Sequence, residues 1–250
     1  MRIGIAGKGG TGKTTLCALL SWNLKDLGKQ VLAVDADPDT NLASILGFPE
    51  PEKIVPIVRM KELISERMEV RGGFFKLNPQ ISDIPEKFMQ EYRGIKLIVM
   101  GTVESGGSGC VCPESTFLKR LLREIILRKD EFILVDFEAG VEHLGRGIAR
   151  EFDFLLIVVE PSQLSLESFK RISPLAEQLG VKRIFAVANK LKDGRERDFL
   201  LRNLGKEKIF GFLSYSQVFS QVNTSGNYEI LREDKLYKEV KELAEKLLSD

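Results

Sequence analysis

Short, unbroken apolar runs recur along the chain, at Ile3–Ala6, Val31–Val34, Leu97–Met100, Phe132–Val135, Phe154–Val159, Ile184–Ala188 and Ile209–Leu213. Most of them show no alternation of polar and apolar positions, which is the signature of strands covered on both faces. Between several of them the periodicity becomes helical, predicting helices over Leu16–Leu27, Phe117–Arg128, Leu164–Leu179 and Leu236–Leu248. Strands and helices in alternation imply an α/β fold, a mostly parallel twisted sheet with right-handed crossovers and helices on both faces.

Two stretches depart from this rhythm. From Pro49 to Tyr92 the pattern is broken by Pro49, Pro51, Pro56, Pro79 and Pro85 and by the pair Gly72-Gly73. A short helix around Val58–Met68, a pair of edge strands and a loop are expected there. Near the end, Leu236, Val240, Leu243 and Leu247 fall on one helical face, yet residues 231–250 carry five basic and six acidic side chains. A helix that binds a membrane surface would be basic, so this face is expected to pack on the core.

Bulk composition narrows the choices further. A chain of 250 residues, 43% hydrophobic, can bury one full core, and one domain spanning residues 1–250 is expected. The 37 basic and 36 acidic residues nearly cancel, so neither nucleic acid nor anionic lipid is expected as a partner. Met1-Arg2 runs straight into the first predicted strand, and the longest wholly apolar run, Phe154–Val159, is too short to span a bilayer. A cytoplasmic protein without membrane attachment is the expectation. The 3 cysteines, Cys110 and Cys112 among them as C-x-C, read as metal or redox chemistry and not as a disulfide framework.

Between the first predicted strand and helix lies Gly7-Lys8-Gly9-Gly10-Thr11-Gly12-Lys13-Thr14, which satisfies the phosphate-loop pattern G-x-x-x-x-G-K-[ST] in its required context. Glycines let such a backbone wrap a polyphosphate with its amides inward, at the positive end of the following helix. Gly9, Gly10, Thr11, Gly12, Lys13, Thr14 and Thr15 are therefore expected to line bound nucleotide, with Lys13 reaching the β and γ phosphates and Thr14 holding Mg²⁺.

The additional lysine, Lys8, makes K-G-G-T-G-K-T resemble the deviant phosphate loop of the MinD/ParA family, which includes the nitrogenase iron protein. There the early lysine crosses a dimer interface to the neighbour's phosphates, so the resemblance implies a nucleotide-sandwich homodimer with Lys8 catalytic. A solvated surface lysine is the plainer alternative. Asp35-Ala36-Asp37-Pro38-Asp39-Thr40-Asn41 is similar to the family's switch I, which gives Asp37 the attacking water and places Asp35 near the metal. Asp39 is also suited to capping the next helix. Asp136-Phe137-Glu138-Ala139-Gly140 resembles switch II, assigning Asp136 to Mg²⁺, directly or through water, and the Gly140 amide to the γ phosphate. Asn189-Lys190-Leu191-Lys192 begins like the guanine-reading N-K-x-D, but Lys192 stands where that motif needs an acceptor. The family sets an asparagine here against adenine, so ATP is favoured over GTP, with Asn189 as the contact and ADP as product.

What the ATPase serves must be read from Gly109-Cys110-Val111-Cys112-Pro113-Glu114-Ser115. Pro113 suits the first position of a helix with an apolar face at Phe117, Leu118, Leu121, Leu122 and Ile125, which puts Cys112 at its N-cap. A helix N-terminus favours thiolate, and soft thiolates suit Zn²⁺, Ni²⁺ or Cu(I), two small buried thiols being the plainer alternative. Two thiolates leave a tetrahedral site half complete; a two-fold dimer would supply four, one ion per dimer. Together with V-D-F-E-A-G-V-E-H-L-G-R at Val135–Arg146, this stretch resembles the branch of accessory ATPases that assist nickel insertion into carbon monoxide dehydrogenase. That enzyme or a related nickel enzyme is the client the resemblance implies. Two other readings stand beside it: a reductase like the nitrogenase iron protein, with one [4Fe-4S] cluster per dimer, and a partitioning or positioning ATPase. The reductase expects a cysteine just after switch II, where this chain has Val141-Glu142-His143-Leu144. His143, the single histidine, is read as an interface residue, and Cys17 as packing.

Overall fold

The computed structural model describes residues 1–72, 74–103, 112–127, 131–138, 146–218, 222 and 228–249. Cys110, Gly140, Glu142 and His143 lie outside the described residues, as does the glycine-rich stretch before Cys110.

Along the chain run β1 (Arg2–Gly7), α1 (Lys13–Asp26), β2 (Val31–Ala36), α2 (Leu42–Ile45), α3 (Lys61–Arg67), α4 (Ile84–Phe88), β3 (Gln90–Tyr92), β4 (Ile95–Val99) and α5 (Pro113–Ile126). There follow β5 (Phe132–Phe137), α6 (Arg146–Ala149), β6 (Phe154–Val159), α7 (Gln163–Leu179), β7 (Ile184–Leu191), α8 (Gly194–Leu204), β8 (Ile209–Ser214) and α9 (Lys235–Ser249). The strands form one 8-stranded sheet in the order β3-β4-β2-β5-β1-β6-β7-β8. Every neighbouring pair is parallel except β3 with β4.

The unalternated runs have the expected cause. In β6, Phe154, Leu156 and Val158 enter one apolar cluster while Leu155, Ile157 and Val159 enter another on the opposite face, and all six are at most 1% exposed. Helices α1 and α9 cover the first face, whereas α5 and α7 cover the second. On α9 the residues Leu236, Val240, Leu243, Ala244 and Leu247 are buried, against α1 and β8, so its apolar face belongs to the core. The helix can sit this close because β8 carries Gly211: a Cβ there would come 2.1 Å from Leu243 Cδ2.

The differences from expectation fall mainly where the pattern was weak. Among the described residues between Pro49 and Tyr92 there is one edge strand, β3, and an isolated bridge between Arg71 and Phe74 in place of two edge strands. Helix α3 starts only at Lys61, because Ile57–Arg59 form a 3₁₀ turn. Helix α8 was not expected at all; it buries only Leu200 and Leu204, too little to mark a helical face. Among the described residues no helix is long and apolar enough to cross a membrane.

Candidate functional site

The carboxyl ends of β1, β2 and β5 lie side by side, and in a parallel α/β sheet that edge is where ligands bind. β1 ends at Gly7 and α1 begins at Lys13, so the phosphate-loop residues form the turn between them. The Thr11 hydroxyl donates to the Lys8 carbonyl at 2.8 Å and tightens that turn. Gly12 enters α1 at φ +98°, and a Cβ on it would lie 2.5 Å from Asn189 Nδ2, so the position requires glycine both for its dihedral and for its neighbour. Lys13 is 6% exposed, whereas Lys8 is exposed.

Asp35 and Asp136 are register partners on adjacent strands, and both are 0% exposed. Their hydrogen bonding separates them. Asp35 accepts from the Asp37 amide at 3.2 Å and from the Leu42 amide at 3.0 Å, so its two oxygens order the turn that follows β2 and the start of α2. Asp39 does not cap α2; its amide donates to Asp37 Oδ1 at 3.0 Å, and the helix-start amide is met by Asp35 from the strand below. Asp37 itself sits partly exposed in that turn.

Neither oxygen of Asp136 has a hydrogen-bond partner among the described residues. Burial pushes its pKa upward, and Asp35 beside it pushes the same way; the Thr14 hydroxyl and the Lys13 ammonium pull against both. Asp35 is raised to about 7, again chiefly by burial, against the two amides that stabilise its charge. A carboxylate buried beside a second one is costly unless a cation or a proton joins it, so the donor set at Asp136 and Thr14 fits a hard divalent ion such as Mg²⁺. Cys17, fully buried, feels the same pair: burial first, then Asp136 and Asp35, raise its thiol pKa and keep it protonated as packing.

Asn189 lies behind the loop. Its Nδ2 donates to the Thr11 carbonyl at 2.8 Å, and its Oδ1 accepts from the Lys190 amide at 2.8 Å. One amide hydrogen thus holds the phosphate loop, a use that the sequence comparison with base-reading motifs did not suggest. Lys190, also unforeseen, reaches the Gly10 carbonyl with its ammonium and pairs with Glu160 at 3.3 Å. The string Asn189-Lys190 carries the signal, which a base-reading motif alone does not reveal.

Cys112 stands at the N-cap of α5 with Pro113 at the first helical position, and its Sγ accepts from the Ser115 amide at 3.3 Å. It is partly exposed and free of any disulfide. The apolar face that places it is formed by Phe117, Leu118, Leu121, Leu122 and Ile125, all buried.

Residues 3–229 match the model of the CobQ/CobB/MinD/ParA nucleotide binding domain. The chain belongs to that family. The family is one of ATPases, and in this chain β1, the glycine-rich turn and α1 carry the phosphate-loop pattern. It is 42% identical over 231 residues to the carbon monoxide dehydrogenase accessory protein CooC of Rhodospirillum rubrum, covering 90% of this chain and 88% of that protein. Among solved structures, the cell division protein MinD of Aquifex aeolicus superposes with a TM-score of 0.71 at 24% identity, over 100% of this chain and 97% of that one. MinD of Pyrococcus horikoshii, solved in complex with Mg-ADP, gives 0.67 at 21% identity over 98% and 95%. At those identities the two MinD structures speak to the fold of the family member described here, and the CooC relationship speaks to its branch.

Proposed function

We propose that this family member is a Mg²⁺-dependent ATPase that dimerises with nucleotide and metal and assists nickel insertion into carbon monoxide dehydrogenase or a related nickel enzyme. The observation that carries the reading is the 42% identity to CooC across 90% of the chain. The site geometry supports it. Lys13 and the amides of Gly9 to Thr15 would take the phosphates, Thr14 and Asp136 would hold the Mg²⁺, and Asp35 would brace the turn that carries Asp37. When bound, the Mg²⁺ ion would neutralise charge on the β and γ phosphates. Asp37 would orient the attacking water, Lys8 would reach the phosphates of the other subunit, and Gly140 would sense the γ phosphate.

Cys110 and Cys112 would offer two thiolates per subunit to Ni²⁺ or Zn²⁺ shared across the dimer axis, and the helix start at Cys112 supports thiolate there. Anaerobically purified protein should be colourless and bind about one Ni²⁺ or Zn²⁺ per dimer, with binding lost on replacing either cysteine. A brown protein with iron, inorganic sulfide and broad visible absorption would overturn the nickel reading in favour of a cluster-bearing reductase. Salt-sensitive, ATP-dependent DNA binding that persists without both cysteines would favour a partitioning ATPase instead.

A further inference from the structure

In a regular strand consecutive side chains point to opposite faces, so Asn189 and Lys190 could not both serve the phosphate loop from an undistorted β7. They do so because β7 is distorted there: its pairing with β8 slips between Ala188 and Leu191, and Lys190 adopts φ +60°. A left-handed lysine is disfavoured, and such conformations persist where the surroundings require them. Here the requirement is visible. Asn189 Oδ1 accepts from the Lys190 amide, Asn189 Nδ2 takes the Thr11 carbonyl, and Lys190 Nζ takes the Gly10 carbonyl while Glu160, at the end of β6, holds the ammonium from the other side.

A trans peptide points its carbonyl and its amide hydrogen in opposite directions. With the Thr11 carbonyl drawn back to Asn189, the amide of Gly12 faces away from Asn189, while the Thr11 amide donates to the Lys8 carbonyl at 3.3 Å. We infer that Lys190, with Glu160 as its anchor, is a positioning residue for ATP binding: a clamp from β7 that fixes the Gly10 and Thr11 peptides so that the loop is shaped for phosphate before nucleotide arrives. The inference rests on the ATPase reading above, but it concerns residues that reading does not use.

Lys190→Gly tests it, because glycine accepts the left-handed turn and removes the side chain with its ammonium. Nucleotide affinity, measured with a fluorescent ATP analogue and with ADP by calorimetry, should fall by about tenfold in Lys190→Gly, the scale of one lost charge-assisted hydrogen bond. Lys190→Arg should restore part of it. Glu160→Gln should weaken binding in the unaltered background and have no further effect when Lys190→Gly is already present. Thermal midpoints without nucleotide should stay within about 2 °C in both variants, which separates a shaped loop from a merely stabilising contact. Unchanged affinity in Lys190→Gly, or equal effects of Glu160→Gln with and without the lysine, would overturn the clamp. If the unaltered protein bound neither nucleotide, the ATPase reading itself would fall.

Discussion

At the residue scale the buried carboxylate of Asp136, whose oxygens have no hydrogen-bond partner among the described residues, links stability to function. A carboxylate buried beside Asp35, only partly offset by Thr14 and Lys13, destabilises the nucleotide-free fold, and the cation it would hold relieves that cost. Asp136→Asn should therefore raise nucleotide-free stability at pH 8 by about 1–3 kcal/mol while abolishing Mg²⁺-dependent phosphate release. Chemical denaturation beside an ATPase assay reads both; a destabilised, active variant would contradict the placement. The same pair sets a pH dependence. Asp35 titrates at about 7 in the fold against 3.8 ordinarily, so between those values the native state holds a proton that the unfolded chain has lost. Its contribution is thus present below the ordinary carboxyl range and is lost as pH rises through the folded value, and Asp136, also raised, acts in the same direction. Thermal midpoints of nucleotide-free protein should decline from about pH 5 to about pH 8, with a shallower decline in Asp136→Asn. Ion-paired carboxyls such as Asp83, lowered by Arg67, exert their effect at lower pH and leave this window clear.

Cys112 offers a second separation at this scale. Its sulfur caps α5, and serine is the better capping side chain, so Cys112→Ser should keep the helix intact, whereas Cys112→Ala should cost about 1 kcal/mol. Both should lose metal. Equal metal binding in Cys112→Ser would remove this thiol from the proposed site whatever its effect on stability.

Among the elements, legibility followed burial. The strands buried on both faces were readable because nothing polar interrupts them, and the helices α1, α5, α7 and α9 because each presents apolar residues to the sheet. β3 has no bounds in the hydrophobic pattern, since its Gln90 and Glu91 are exposed and only main-chain pairing marks it. The same logic divides the site. The phosphate loop lies in one contiguous stretch and could be read as a pattern, but the contacts of Asp35 with Leu42 and of Asn189 with Thr11 are tertiary and leave no mark in spacing. At the junction of α9 and β8, Leu243 fills the space that Gly211 leaves open. Leu243→Ala should cost about 2–4 kcal/mol in denaturant unfolding, and Gly211→Val should be at least as damaging, since overpacking there meets a helix that is itself buried. Tolerance of Gly211→Val would mean that α9 can be displaced from β8.

For the whole molecule, the roles proposed for the exposed Lys8 and for the cysteine pair both call for a second subunit. Light scattering should show ATP or Ni²⁺ raising the apparent mass toward that of a dimer, with Lys8→Ala blunting the ATP effect on association or turnover. A monomer under every nucleotide and metal condition would leave neither feature a use.

The position of β1 in the sheet has a consequence in time. Its neighbours are β5 and β6, so Ile3 must find Leu134 on one side and Phe154 on the other, long after its own synthesis. Until the chain has been made through β6, the loop after β1 has no framework, and β1 remains an unpaired apolar segment exposed to aggregation. Pairings this distant are slow to close. Recovery of nucleotide binding should therefore lag behind the return of helical signal during refolding, and ATP added early should speed nothing until the sheet centre has closed.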